Sequence, residues 1–271
     1  MRTHISSLQN PLVKSLVKLQ QKANERKSTG TFLVEGRREV SLALRHGIVV
    51  EKLIVCPELY VPDPNYPIDI KSLDDNLIFE VSDSVYRKIA YREGVEGILM
   101  LGKGQPLHLE DYKPSENPLI IILEGVEKPG NLGAILRTTD AAGVEAIFFC
   151  DSRTDLYNPN AIRASLGCVF SQTIVECSSK QAIEWLKERG IPYYSSSPDT
   201  AHLYFDVDFS EPAAIAFGAE DKGLSKDWLK EADRVIRIPM GGIIDSLNVS
   251  ASVAIVTFEA VRQRRINPRP N

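Results

Sequence analysis

The chain is poor in the residues that build metal centres and disulfide frameworks. Its 271 residues include only four cysteines and four histidines. No two cysteines form a C-x-x-C pair, and the histidines have no ligand spacing to one another or to a cysteine, so we expect no metal site. Most of the cysteines lie in apolar, strand-like contexts, which predicts buried reduced thiols and a cytoplasmic location. They are Cys56, Cys150, Cys168 and Cys177.

Long hydrophobic runs and several familiar motifs are also missing. The longest aliphatic block covers residues 119–123, far below the roughly 18 residues of a membrane span, and no apolar segment of a signal peptide opens the sequence. We therefore expect no membrane partner. A complete G-x-G-x-x-G fingerprint, a phosphate loop and a G-x-S-x-G elbow are absent, which argues against a dehydrogenase, a nucleotide hydrolase and a serine hydrolase.

An overall excess of positive charge is absent as well, because the net charge is −4. The first 50 residues nevertheless contain nine lysines and arginines against three acidic residues. A phosphate backbone responds to a local positive patch rather than to the total charge. This segment is therefore either a surface for nucleic acid or simply a solvated helix face.

The distribution of apolar residues predicts two α/β regions. Residues 1–105 alternate short helices and strands, beginning with a helix capped by Asn10-Pro11 and followed by a flexible stretch at 24–31. Residues 106–118 are polar and rich in proline, which predicts a linker. From residue 119 onward, apolar strands alternate with helices, the first of them at 132–142, which predicts a parallel sheet covered on both faces.

Three loops of the second region combine glycine with polar residues. They lie within 123–143, 215–225 and 236–261, and each follows an apolar strand. Open α/β sheets bind ligands at the carboxyl ends of their strands, so the three loops could meet there. Taken singly, Asn131 and either Ser246 or Asn248 could be helix caps, and Glu220 an exposed turn acid. Their occurrence together favours a site.

These loops resemble the three signature motifs of the SpoU (TrmH-like) RNA 2′-O-methyltransferases, which belong to the SPOUT class. The matching segments are N-L-G-A-I-L-R at 131–137, F-G-A-E-x-K-G-L at 217–224 and I-P-M-x-G…S-L-N-V-S-x-S-x-A at 238–254. The similarity extends over 119–264. The first 100 residues are similar, more weakly, to the substrate-binding extension of the ribosomal-RNA members.

The resemblance implies a fold, a cofactor and an assembly. The fold is α/β, with a Rossmann-like parallel-sheet domain at 119–271 that contains a deep trefoil knot, and a small α/β RNA-binding domain at 1–105. The cofactor is S-adenosylmethionine, bound in the knot, and the assembly is a homodimer. By matching motif positions, the resemblance assigns catalytic roles to Asn131, Arg137, Glu220, Ser246 and Asn248, and cofactor contacts to Gly218, Ile238 and Leu247. Lys128 departs from the family pattern, in which an acidic residue is common.

The implied activity is methylation of a ribose 2′-hydroxyl, most simply in ribosomal RNA. We expect Arg137 to stabilise charge on the 2′-oxygen or to act as the base, with Asn131 and Glu220 orienting its guanidinium and Ser246 and Asn248 ordering the ribose. Transfer RNA is an alternative substrate, and a catalytically inactive RNA-binding homologue is an alternative class. The residues expected to contact RNA phosphates are Lys14, Lys18, Lys22, Arg26, Lys27, Arg37 and Arg38.

Overall fold

The computed structural model describes residues 2–94 and 96–266, and these form two compact units. The first unit contains the residues up to Gln105 together with Asp155–Ser171. The second contains Pro106–Thr154 and the residues from Gln172 onward. The chain first crosses between the units where the sequence suggested a division, near residue 105. Nothing in the sequence predicted that 155–171 would return to the first unit.

The first unit is built on a five-stranded mixed sheet in the order β1-β4-β3-β5-β2. Strands β1, β4 and β3 run parallel, whereas β5 is antiparallel to both β3 and β2. Its elements are β1 (Thr3–Ile5), α1 (Pro11–Gln21), α2 (Ala23–Thr29), β2 (Thr31–Glu35), α3 (Arg37–Arg45), β3 (Val49–Val55), β4 (Ile78–Val81), α4 (Asp83–Ile89) and β5 (Ile98–Lys103).

Local sequence signals explain where the first two helices begin and end. The Oδ1 of Asn10 accepts a hydrogen bond from the backbone N–H of Leu12 at 2.9 Å, so the predicted cap of α1 is confirmed. The prediction of a flexible stretch at 24–31 is wrong, because α2 occupies most of it. This helix ends at Gly30, whose φ of +64° is the left-handed conformation that glycine adopts at a helix C-terminus.

The second unit is built on a six-stranded sheet in the order β11-β9-β10-β6-β7-β8. Every pairing in this sheet is parallel, which confirms the predicted architecture. The elements from residue 119 onward are β6 (Leu119–Glu124), α5 (Pro129–Ala142), β7 (Ala146–Cys150), α6 (Pro159–Ala164), β8 (Ile174–Cys177), α7 (Ser179–Glu188), β9 (Tyr193–Ser196), β10 (Ala213–Phe217), α8 (Lys226–Glu231), β11 (Arg234–Ile236) and α9 (Val249–Ile266); of these, α6 belongs to the first unit.

Burial on both faces explains the apolar strands of this sheet. All five residues of β7 and of β10 are buried, as expected for parallel strands covered on both sides. The trefoil knot implied by the resemblance remains an expectation of this fold. No helix among the residues that the structure describes is long and apolar enough to cross a membrane.

The stretch predicted as a linker, 106–118, packs against the second unit. Leu107 pairs with Val175 of β8, and Tyr112 is buried with its ring 5.5 Å from that of Trp185. The hydroxyl of Tyr112 donates to the carboxylate of Glu145 at 2.7 Å. Prolines and polar residues suggested a free segment here, but one buried aromatic ring is enough to hold it.

Candidate active site

Sheet topology brings two of the three loops to the same edge. Strands β6 and β10 are parallel neighbours, with Leu123 opposite Phe217 in register. The loops that follow them therefore leave the sheet side by side, at the carboxyl ends of the strands. The third loop follows β11 and leads into α9, which packs against α5 of the first loop.

Three predicted site residues, one from each loop, meet around a single carboxylate. The Nδ2 of Asn131 donates to Oε1 of Glu220, and Nδ2 of Asn248 donates to the same oxygen at 3.0 Å. Asn248 also donates to Oδ1 of Asn131 at 3.3 Å. The Nζ of Lys128 forms an ion pair with the other oxygen of Glu220. The arrangement is a polar cluster that joins loops about 90 residues apart in the chain.

Lys128 is the functional candidate that reading the sequence missed. Its hydrogen bond to Glu220, and then the Coulomb attraction of the same carboxylate, raise the pKa of Lys128 above the ordinary lysine value. The ammonium therefore stays charged at neutral pH and balances the charge of Glu220. Its departure from the acidic residue expected from the resemblance was the only signal in the sequence, and it did not identify the partner of the ammonium.

Asn131 is not a helix cap, contrary to one interpretation of the sequence. Helix α5 begins at Pro129 with Lys128 as its N-cap, so Asn131 lies in the first turn. Proline is favoured at that first position because its missing N–H is not needed there. The side chain of Asn131 is consequently free to bind Glu220.

Asn248, rather than Ser246, caps the terminal helix. The Oδ1 of Asn248 accepts hydrogen bonds from the backbone N–H and the hydroxyl of Ser250, at 2.9 and 2.6 Å. Its amide nitrogen is thereby directed to Asn131 and Glu220. The hydroxyl of Ser246 donates instead to the neighbouring Asp245 at 3.2 Å and is not part of the cluster.

Glu124 connects the end of β6 to two other segments through hydrogen bonds. It is the last residue of β6, and its carboxylate accepts hydrogen bonds from the hydroxyl of Ser179 at 2.7 Å and from the backbone N–H of Ser225 at 2.6 Å. Through these two bonds the end of β6 holds both the start of α7 and the loop after β10.

A cavity of about 410 Å³ lies beside the cluster, and all three predicted cofactor contacts line it: Gly218, Ile238 and Leu247. This size is within the roughly 300–1,000 Å³ of small-molecule sites. Gly218 is required by the loop itself, because a Cβ there would lie 2.2 Å from the backbone nitrogen of Leu224. Phe217 and Leu224 add apolar wall.

A second cavity of about 220 Å³ adjoins the first and has charged and amide side chains among its lining residues. Asn131, Lys128 and Glu127 line it, together with Glu220 and Val249. Glu220 and Val249 also line the larger cavity, so the two spaces share a wall. A molecule bound in one cavity could therefore transfer a chemical group to a molecule bound in the other, beside the carboxylate of Glu220.

Arg137 does not join the cluster. It is exposed on α5, and its guanidinium makes no hydrogen bond or ion pair with the residues that the structure describes. We expected Asn131 and Glu220 to orient this guanidinium. In the structure neither of them binds it directly. An unpaired, exposed guanidinium is available to an incoming polyanion.

The candidate RNA contacts of the first unit fall into different environments. Four lysines, Lys14, Lys18, Lys22 and Lys27, are exposed on or beside α1 and α2. Arg37 is engaged by Glu96 at 3.0 Å, and Arg38 lies over the ring of Tyr66.

The structure corrects the prediction that Arg26 contacts RNA phosphates. Its side chain is 4% exposed, forms an ion pair with Asp155 and donates to the backbone carbonyls of Leu19 and Gln20. A buried, fully engaged guanidinium cannot contact an RNA phosphate.

Comparison with protein families decides the classification. Residues 118–258 match the model of the SpoU rRNA methylase family, which is more than half of the chain. The chain belongs to the SpoU rRNA methylase family. Residues 10–100 of this SpoU chain also match the MRM3-like substrate binding domain. The motif resemblance noted in the sequence is therefore confirmed.

Proteins with similar sequences or structures match nearly the full length of this chain. A Bacillus subtilis (strain 168) protein named 23S rRNA (guanosine(2553)-2′-O)-methyltransferase RlmP is 28% identical, over 94% of this chain and 97% of its own length. A solved RNA 2′-O ribose methyltransferase is 39% identical with a TM-score of 0.83, covering 97% of this chain and all of its own. An AdoMet-bound rRNA methyltransferase from Sinorhizobium meliloti is 30% identical with a TM-score of 0.86, covering 97% and 98%.

Proposed function

We propose that this protein transfers a methyl group from S-adenosylmethionine to a ribose 2′-hydroxyl of ribosomal RNA. The observation that carries the proposal is the pair of adjoining cavities that share Glu220 as a wall. The larger cavity has an apolar side, formed by Phe217, Leu224 and Ile238, together with polar side chains. The smaller cavity holds Asn131 and Lys128 beside Val249. Two adjoining cavities of this kind suit a nucleoside-containing donor in the larger and a ribose acceptor in the smaller.

The residues of the larger cavity fit S-adenosylmethionine. Phe217, Leu224, Ile238 and Leu247 offer apolar surface to an adenine ring, and the turn at Gly218 brings backbone groups to the cavity wall. When bound, the cofactor supplies a methyl group on a positively charged sulfur, which is an electrophile. The family relative with a bound AdoMet, from Sinorhizobium meliloti, supports this choice of donor.

The polar cluster has the task of holding the ribose. The amides of Asn131 and Asn248 present donors and acceptors to hydroxyl groups, and Glu220 fixes both amides through one oxygen. Holding two reacting groups in line contributes roughly 7–11 kcal/mol in favourable cases. Water is kept from the site by the bound substrates and the apolar wall at Val249.

Arg137 is suited to stabilising charge on the 2′-oxygen as its proton leaves. A guanidinium group keeps its proton in proteins, so it is a weak choice for a base at neutral pH. Its exposed position allows it to bind the adjacent phosphate and the developing oxyanion together. Ser246 lines the donor cavity and would order the loop 238–248 around the target.

The proposal includes a homodimer in a reducing compartment, the cytoplasm. Phe258 on α9 and Ile244 in the third loop are 47% and 62% exposed, and apolar surface of this kind suits a partner subunit. Among the described residues, Cys56, Cys150 and Cys177 are thiols outside any disulfide, which suits a reducing compartment.

Methyl labelling of total RNA tests the activity and separates ribosomal from transfer RNA. Purified protein, S-adenosylmethionine with a labelled methyl group and RNA from cells lacking this protein should place the label in ribosomal RNA, resistant to alkali at one ribose. Label in the transfer-RNA fraction would favour the alternative substrate. Failure of S-adenosylmethionine to bind in calorimetry would identify an inactive homologue and overturn the proposal.

A further inference from the structure

A cleft in the first unit, about 330 Å³ in volume, has no role in the methyl-transfer chemistry. Its walls come from α3, from the loop around Asp63 and Tyr66, from Arg92 and Glu96, and from α6 and Leu166 of the returning segment 155–171. Four arginines line it: Arg37, Arg38, Arg92 and Arg163. Three acidic residues, Glu39, Asp63 and Glu96, line it as well.

Each of the three acidic residues already has a partner. Two form ion pairs with arginines, and the third accepts a hydrogen bond within its own turn. Arg92 pairs with the buried carboxylate of Glu39, and Arg37 pairs with Glu96 at 3.0 Å. The Oδ1 of Asp63 accepts from the backbone N–H of Asn65 at 2.9 Å, so that carboxylate is committed to its own turn. In the described part of the chain, the guanidinium groups of Arg38 and Arg163 therefore have no carboxylate partner.

Arg38 lies over an aromatic ring, and no hydrogen bond of its guanidinium to another described residue is seen. Its Cζ lies 5.0 Å from the centre of the Tyr66 ring. Its Nε is buried and has no hydrogen-bond partner in the part of the chain that is described. The hydroxyl of Ser41 donates to the carbonyl of Pro67 at 3.0 Å, which fixes the loop that carries Tyr66 against α3. The result is a guanidinium group backed by an aromatic ring.

Arg163 lines the cleft, and the backbone just after its helix has an unusual conformation. It is exposed on α6, and none of the described residues forms an ion pair or hydrogen bond with its guanidinium. Two residues after the end of α6 comes Leu166, a cleft residue with a φ of +55°, which is strained for a residue other than glycine. Gly167 follows with a φ of +85° and packs so closely that a Cβ would lie 2.9 Å from Leu42. This strained turn, which follows α6, packs against α3.

We propose that this cleft binds one nucleotide of single-stranded RNA, with its base stacked on the Arg38–Tyr66 plane and its phosphate held by Arg163. Unpaired bases stack on arginine planes and aromatic rings, and free guanidinium groups bind phosphates in a bidentate manner. An acidic peptide would use the charges but not the stacking plane. The inference rests on the proposed function, because it names where the substrate RNA is held away from the reacting ribose.

The test is RNA binding by the full chain without any methyl donor. The probe is a fluorescein-labelled single-stranded RNA of roughly ten mixed nucleotides, followed by anisotropy over a salt series. Arg163→Ala should weaken binding at least about tenfold and lower the salt slope by about one. Arg38→Lys keeps the charge but lacks the plane, and should weaken binding to this RNA several-fold while leaving binding to an abasic version unchanged.

Arg45→Ala is the matched control, because Arg45 is exposed at the far end of the same helix α3 and does not line the cleft. It should change affinity less than about twofold. Equal effects of Arg45→Ala and Arg163→Ala would overturn the site, as would competition by a polyglutamate peptide as strong as that by unlabelled RNA. Because the methyl-labelling result does not enter this measurement, loss of the activity proposal and loss of the cleft proposal can be told apart.

Discussion

Glu220 organises the site at the scale of single residues. One of its oxygens accepts from two amides, and the other pairs with Lys128, whose side chain is 70% exposed. The raised pKa of Lys128 means that its ammonium is fully charged below the ordinary lysine range and loses that charge as the pH rises through the raised value. The cluster therefore keeps its charges throughout the neutral range.

Substitution of Arg137 tests its role on the 2′-oxygen. Arg137→Lys keeps the positive charge but removes the planar fork that could bind a phosphate and an oxyanion together. We expect methyl transfer to fall at least roughly a hundredfold, with the affinity for S-adenosylmethionine unchanged. The measurement is a single-turnover rate as a function of pH, together with calorimetry of the cofactor.

The control for this variant is Arg189→Lys. Arg189 follows α7 and lies over the ring of Trp185, outside both cavities of the site. It should retain nearly full activity. If Arg137→Lys were equally active and its pH profile were unshifted, Arg137 would be neither the base nor the stabilising group.

Elements with a strong periodic or capping signal were predictable, and those made by distant contacts were not. The apolar strand that begins at Leu119 and the start of α1 after Asn10 were predicted, because the signal is local in both. Helix α2 was missed because its buried residue is an arginine, which the sequence presents as a charge. The meeting of Asn131, Glu220 and Asn248 was predictable from the parallel topology. Their pairing with Lys128 depends on side-chain positions and was not.

The loop after β10 provides a test at the scale of an element. A Cβ at Gly218 would lie 2.1 Å from the backbone carbon of Gly223, so Gly218→Ala must displace the turn. Overpacking of this kind costs about 1–3 kcal/mol, and here the cost falls on the wall of the donor cavity. We expect the affinity for S-adenosylmethionine, measured by calorimetry, to fall by about tenfold or more.

Gly242→Ala is the matched control in the third loop, since nothing lies within 4 Å of a Cβ at that position. This variant should bind S-adenosylmethionine as the parent does. Equal loss in the two variants would show that the loops respond to any added methyl group. An unchanged affinity in Gly218→Ala would contradict the assignment of the donor cavity.

At the scale of the whole molecule, the chain leaves the second unit at Asp155 and returns to it after Ser171. This path was not predictable, because its anchors are contacts more than 100 residues apart in sequence. Tyr157 stacks on Phe32 with ring centres 3.9 Å apart, and Asp155 pairs with Arg26. The excursion places Arg163, a residue within the span of the catalytic family, in the unit that matches the substrate-binding domain.

The buried pair of Arg26 and Asp155 should hold this excursion in place. Arg26→Ala leaves the carboxylate of Asp155, only 9% exposed, without its cation, and such a loss costs roughly 3–5 kcal/mol. Asp155→Ala should cost less, because Arg26 keeps its bonds to the carbonyls of Leu19 and Gln20. The double variant should be less destabilised than the sum of the two, which denaturant titrations of all four proteins would measure.

Hydrogen exchange locates the effect, because the amides of α6 should lose protection in Arg26→Ala before those of the parallel sheet do. Lys18→Ala is the control: it removes the exposed Lys18–Glu25 pair on the same pair of helices and should cost at most about 1 kcal/mol. If Arg26→Ala left the exchange of α6 unchanged, the ring stack of Tyr157 on Phe32 would be the anchor instead. In that case Arg163 should keep its place, and its RNA affinity, without the buried ion pair.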